Sequence, residues 1–148
     1  MVHRDLAARN VLLCDNLVAK ISDFGLCCTT DETLIHKGNL AQKLPIKWLA
    51  LEALTDRIFS EKSDIWSFGI LVYEVFTFGS IPYANMNNDE MLVFLQAGNR
   101  LERPNNVCDE LYEIMKSCWN KYMGLRPNFL ELEERFENLN DFPKSTRL

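Results

Sequence analysis

Residues 2–10, VHRDLAARN, crowd an acid, two arginines and an amide into a short span: Arg4, Asp5, Arg9 and Asn10, with only Leu6, Ala7 and Ala8 between them. A surface helix spreads such charges along one face. Here the polar groups bracket small apolar ones, a pattern that suits side chains converging on something polyanionic. A second acid stands at Asp23 in the segment SDFG.

For these groups to share a site, the chain must bring residue 23 back to residues 5–10. Two short apolar runs, VLL and LVAKI, are separated by Cys14, Asp15 and Asn16, which reads as a β-hairpin with a tight polar turn. A hairpin goes out and returns, so it places Asp23 near Asn10 and Asp5. Residues 26–44 show no clear period and mix Thr, Asp, Lys and Gly as a long loop does. Loops of that length in a compact domain are functional or disordered.

The pattern turns helical from Ser60. Ser63 is the expected cap of the run at 65–76, IWSFGILVYEVF, with Gly79 and Pro82 as its stop. That run contains Ser67 and Glu74 and falls short of the ~20 apolar residues that span a bilayer, so it reads as a buried core helix. Asn87 with Glu90 forms an asparagine version of a capping box, with Gly98 closing the helix. Leu111, Ile114, Met115, Cys118 and Trp119 follow the spacing of one helical face, as do Phe129, Leu132, Phe136 and Leu139 behind Asn128 and Glu131. Tyr73, Tyr83, Tyr112 and Tyr122 are expected to be packing residues.

With 148 residues, 47% hydrophobic and 25% charged, the chain has the composition of an ordinary globular domain. Its net charge of -5 gives no electrostatic case for gripping nucleic acid or an acidic membrane surface. The 5 cysteines are odd in number and lack a C-x-x-C pair, which points to free thiols rather than a zinc site or a disulfide framework. No signal peptide precedes His3, so the chain is expected to carry no address of its own.

The motifs HRDLAARN at residues 3–10 and DFG at 23–25, with Ala50, Leu51 and Glu52 close to an A-P-E triplet, resemble the protein tyrosine kinases of receptor type, and specifically the C-terminal lobe of their catalytic domain. The resemblance implies a mainly α fold, the C-lobe of the α+β kinase architecture, with a short β-hairpin beside the catalytic loop. It covers residues 1–142 as a partial kinase domain and leaves 143–148 as a polar tail. It implies transfer of the γ-phosphoryl group of ATP to protein tyrosine, with Mg2+ as cofactor. Such chemistry needs charge neutralised and a hydroxyl held in line.

In those roles Asp5 would accept or orient the substrate proton, and Arg9 would lie beside the transferring phosphate. Asn10 and Asp23 would ligate magnesium through oxygen. Leu12 resembles the residue under the adenine, a role compatible with a plain core leucine. Within LPIKW, Pro45 and Trp48 resemble the tyrosine-kinase stretch that cradles the substrate residue. His3 and Phe24 are expected to pack as a hydrophobic column, with Gly25 completing the DFG motif. His3 as general base is the tempting alternative, but the family uses it structurally. Arg4 would tie the loop to the activation segment. Asp64 would accept backbone N–H groups of the catalytic loop, and Glu52 with Arg126 would form a buried ion pair.

Ala7 stands where serine/threonine kinases usually carry a lysine, which favours tyrosine as substrate. Partners are therefore tyrosine-bearing proteins, with no nucleic acid and no direct membrane contact; a dimeric parent stays open. The location implied is cytoplasmic, on the inner side of the plasma membrane if the parent is a receptor.

Three departures qualify the resemblance. No G-x-G-x-x-G or V-A-I-K occurs in the chain, so the polypeptide alone is expected to be inactive, with apolar surface exposed on the 65–76 helix. The alternative is a non-catalytic binding module, degenerate or truncated. The segment between Phe24 and Trp48 has no tyrosine; Asp31 and Glu32 would partly supply the charge that Arg4 otherwise takes from a phosphate. Leu51 replaces a proline, which is expected to loosen that turn.

Overall fold

The computed structural model describes residues 1–39 and 43–139; the expected polar tail at 143–148 lies outside the described residues. The fold is mainly helical, with strands β1 (Val11–Leu13), β2 (Ala19–Ile21), β3 (His36–Lys37) and β4 (Ile58–Phe59), and helices α1 (Leu51–Asp56), α2 (Glu61–Phe76), α3 (Asn88–Gln96), α4 (Asp109–Cys118) and α5 (Phe129–Glu137).

Helix α2 is the axis of the molecule. It buries Ile65, Trp66, Ile70 and Val72 and also Ser63, Asp64, Ser67, Gly69 and Glu74, because neighbours pack around it rather than along one stripe. Helix α4 lays Leu111, Ile114, Met115 and Cys118 into the same core, joined by Trp119, Met91, Leu95, Leu132 and Leu139. Gly69 sets how closely α2 meets this helix. A Cβ there would come within 2.6 Å of Trp119 Nε1 and 2.8 Å of Cys118 Cβ, so only glycine fits.

Helix α2 begins earlier than the sequence suggests. Ser60 is the cap: its Oγ accepts the Lys62 N–H at 3.2 Å, while Ser63 Oγ accepts the Ser60 N–H at 3.0 Å. Two serines three positions apart offer equivalent caps on paper, and burial of Ser63 and Asp64 inside the first turn decides between them. The far end closes on Gly79, at φ 85, whose N–H reaches Glu74 O at 2.8 Å. The boxes at α3 and α5 form as read: Asn87 and Glu90, then Asn128 and Glu131, exchange bonds of 2.8 to 2.9 Å.

The expected loop at 26–44 carries more order than its composition suggests. β3 pairs antiparallel with β4, His36 opposite Phe59 and Lys37 opposite Ile58, and Cys28 bridges Val2. Val2, Leu49, Ala53 and Phe59 make a second small core there. These pairings join segments distant in sequence, so no local period announces them. The apolar surface expected on the 65–76 helix is confined to its last turn: its core positions are covered, and the exposed side chains are Val75 there, then Phe78 and Ile81 beyond it.

Candidate active site

Residues 3 and 4 are pinned by α2. Asp64, buried in the first turn, accepts the His3 N–H at 2.7 Å and the Arg4 N–H at 3.0 Å. Burial pushes the Asp64 carboxyl up from its ordinary range, and the two N–H donors and His3 oppose that rise. Arg4 takes a left-handed backbone, φ 65. Its Nε donates to Leu26 O at 2.6 Å and its guanidinium lies 5.2 Å from the Phe59 ring centre, which joins residue 4 to the segment after Gly25 and to β4.

Both ring nitrogens of His3 are engaged. Nδ1 accepts the Asp5 N–H at 3.2 Å, which leaves Nε2 as the donor to Ser22 O at 3.1 Å. A buried imidazole so committed is a poor general base. Phe24 meets it edge-on at 5.3 Å, but Phe24 is 58% exposed. The expected hydrophobic column is thus one contact, open on its other side.

Asn10 is the knot of the site. Its Nδ2 donates to Asp5 O at 2.8 Å, and its own carbonyl accepts both the Ser22 N–H at 2.8 Å and Ser22 Oγ at 2.9 Å. The β1–β2 ladder, Val11 opposite Ile21 and Leu13 opposite Ala19, returns the chain to this point, so Asp23 follows directly on a residue bonded to Asn10. Asp23 sits at φ 58, a region that asparagine and aspartate tolerate better than most residues. Its Oδ1 accepts the Gly25 N–H at 3.1 Å.

The Asp5 carboxylate receives the Arg9 guanidinium, and Arg9 stacks on the Trp48 ring at 4.6 Å. Trp48 is itself fixed: Nε1 donates to Glu74 Oε2 at 2.9 Å, and its carbonyl accepts Ser67 Oγ at 2.8 Å. The same Glu74 oxygen accepts the Ala8 N–H at 2.8 Å. Glu74 is a site residue that motif reading passes over. Its signal was present, since a buried carboxylate in an apolar run needs partners, but those partners come from far away in sequence. Lys47, whose Nζ donates to Tyr83 O at 2.8 Å, was also missed. Pro45 is half-buried and leads into the 3-10 turn Ile46–Trp48.

Leu12 is 56% exposed, and Leu13, Leu17, Val18 and Ile21 share the hairpin's open surface. Leu12 is therefore not a core leucine. Asp31 turns its carboxylate onto the Thr33 hydroxyl and N–H, bonds that hold its carboxyl below the usual range, whereas Arg4 rests on Leu26 and Phe59.

Away from the loop, Arg126 grips Glu52 with both ends of its fork, Nη1 to Oε1 at 2.7 Å and Nη2 to Oε2 at 2.8 Å. Its remaining donors reach Asn120 O and Lys62 O, each at 2.8 Å, and its side chain is 0% exposed. Leu51 opens α1 with its side chain buried in the core.

All the candidate ligands are oxygen donors. Among the described residues no group of three or more His, Cys, Asp or Glu gathers as a metal cage, and the cysteines are free thiols. The Asn10 side-chain nitrogen is spent on Asp5 O, which leaves the side-chain oxygen Oδ1, not the backbone carbonyl held by Ser22, to act beside a carboxylate. That donor set fits a hard cation that also draws on water and phosphate oxygens.

The family described as "Protein tyrosine and serine/threonine kinase" matches residues 1–136. Fibroblast growth factor receptor 1 of Xenopus laevis is 43% identical over 138 residues, 93% of this chain and 17% of that protein. The same receptor of Pleurodeles waltl gives the same values. The tyrosine-protein kinase receptor torso of Drosophila melanogaster is 42% identical over 149 residues, 97% of this chain and 16% of that protein. The chain therefore spans no more than 17% of the length of these relatives.

Proposed function

The chain belongs to the protein tyrosine and serine/threonine kinase family, and from that premise we propose that it is the C-terminal lobe of a catalytic domain that transfers the γ-phosphoryl group of ATP to protein tyrosine. The observation that carries this reading is the hydrogen-bonded closure of Asp5, Asn10 and Ser22, which supports a shared site for the two motif acids. The identity to receptor kinases over most of the chain supports tyrosine as the acceptor.

In this reading Asp5 orients the substrate hydroxyl and takes its proton. Arg9, between Asp5 and Trp48, holds negative charge at the acceptor side. Asn10 and Asp23 hold magnesium through oxygen. Magnesium, when bound, offsets the charge that builds on the phosphate oxygens. Leu12 offers an exposed apolar surface to the flat face of the base, and Pro45 with Trp48 borders the acceptor tyrosine. His3, Arg4, Phe24, Gly25 and Asp64 keep the loop in register, while Glu52 and Arg126 lock the segment behind it. As part of a receptor, the domain works on the cytoplasmic side of the plasma membrane. Among the described residues no helix is long and apolar enough to cross a membrane. The 148-residue polypeptide by itself, with no glycine loop or phosphate-binding V-A-I-K lysine in its sequence, is inactive in this reading.

The test is a chimera in which this chain replaces the matching segment of the Xenopus laevis receptor kinase. Phosphate should enter a poly-Glu-Tyr substrate, and Asp5→Asn should lower the rate by about 10²–10⁴-fold, the usual contribution of a positioned base. The isolated chain should incorporate none. A folded chimera without activity, or one indifferent to Asp5→Asn, overturns the catalytic reading.

A further inference from the structure

We propose that Tyr122 is a phosphorylation site: in the folded chain it is the tyrosine that a protein tyrosine kinase modifies, with ATP as phosphoryl donor. This does not rest on the catalytic reading above, because the modifying kinase is a separate molecule.

The 4 tyrosines of the chain occupy different surroundings. Tyr83 is buried, packs edge-on against Phe94 at 6.3 Å, and burial raises its phenol well above the ordinary value. Tyr112 is half-buried; its hydroxyl donates to Leu101 O at 2.8 Å and Lys116 Nζ lies 5.1 Å over its ring. Tyr73 is half-buried within helix α2, and its carbonyl is held by the Thr77 N–H at 3.0 Å. Tyr122 is 65% exposed, which overturns its expected packing role.

The backbone presents Tyr122 as an acceptor. Between the end of α4 and the 3-10 turn Met123–Leu125 it is extended, φ -89 and ψ 112, and its side chain is open to solvent. Its base is fixed on two sides: its N–H donates to Asn120 Oδ1 at 2.9 Å, and its carbonyl accepts the Leu125 N–H at 3.0 Å. Asn120 O in turn accepts Arg126 Nε at 2.8 Å, and Arg126 is locked by Glu52. The ring thus projects from an anchored segment with exposed Lys121 and Leu125 on either side.

In the transfer, Tyr122 Oη bonds to the γ-phosphorus of ATP, the bond from that phosphorus to the bridging oxygen breaks, and ADP leaves. The phenolic proton passes to a carboxylate of the modifying kinase. The product carries about −1.5 to −2 charge beside Lys121, on a ring that stays in water.

The native chain is incubated with ATP, magnesium and the active kinase domain of fibroblast growth factor receptor 1, and phosphate is located by peptide mass spectrometry. Tyr122 should carry at least about tenfold more phosphate than any other tyrosine, since it is the most exposed of the four and Tyr83 and Tyr112 must first be freed by local opening. The conservative Tyr122→Phe variant should lose most of the incorporation. A native chain that takes up no phosphate, one labelled at Tyr73, Tyr83 or Tyr112 in preference to Tyr122, or one labelled evenly over all four overturns the proposal.

Discussion

The helical base and the hairpin are held together by different means. Around α2 every large side chain meets another, and even the charges are enclosed with partners, Arg126 with Glu52 and Asp64 with two backbone N–H groups. The hairpin is positioned by backbone bonds through Ser22 and Asn10, while Leu12, Leu13, Leu17, Val18, Ile21 and Phe24 stand in solvent. Packing therefore carries the stability of the base, and hydrogen bonds with a single ring contact, Phe24 on His3, orient the part that bears Asp23. A substitution should be costly in the first region and nearly silent in the second.

Arg126→Ala is the largest expected break, about 3–5 kcal/mol by chemical denaturation, because Glu52 is left as a stranded charge in a closed site. A loss under about 1 kcal/mol would mean that the pair behaves as a solvated one. Gly69→Ala should cost about 1–3 kcal/mol through overpacking against Trp119 and Cys118, seen as a lowered midpoint. A neutral result would mean that α2 and α4 are free to separate. Asn128→Ala removes the acceptor for the Glu131 N–H and should cost about 1 kcal/mol, the ordinary value of a helix cap. At the other extreme, Leu13→Ser on the hairpin should shift stability by less than about 0.5 kcal/mol while raising solubility, measured by light scattering. A large destabilisation there would erase the contrast.

How much of this was legible follows the same division. The caps at Asn87 and Asn128 could be read because both partners lie within one turn. Helix α4 could be read because it has one buried stripe, and α5 because Leu132 and Phe136 lie on the expected face, although Phe129 at its start is exposed. Spacing also foretold that residue 23 returns to residue 10, since a two-strand ribbon leaves few other paths. The partnership of Glu52 with Arg126 came from family resemblance alone; nothing local links positions so far apart. The partners of Glu74 were invisible for the same reason, as Ala8 contributes only a backbone N–H that any residue there would supply. The β3–β4 pairing was lost because two-residue strands are too short to show alternation. Ser63 drew attention from Ser60 because capping preference ranks residue types and cannot see which of two serines lies inside.

One oxygen of Glu74 serves both Ala8 and Trp48, and this gears the two segments mechanically. If the indole swings outward, that oxygen either follows it and releases the loop, or stays and surrenders a bond. Displacement of the Trp48 ring would thereby reach the peptide plane three residues beyond Asp5 through one side chain of α2.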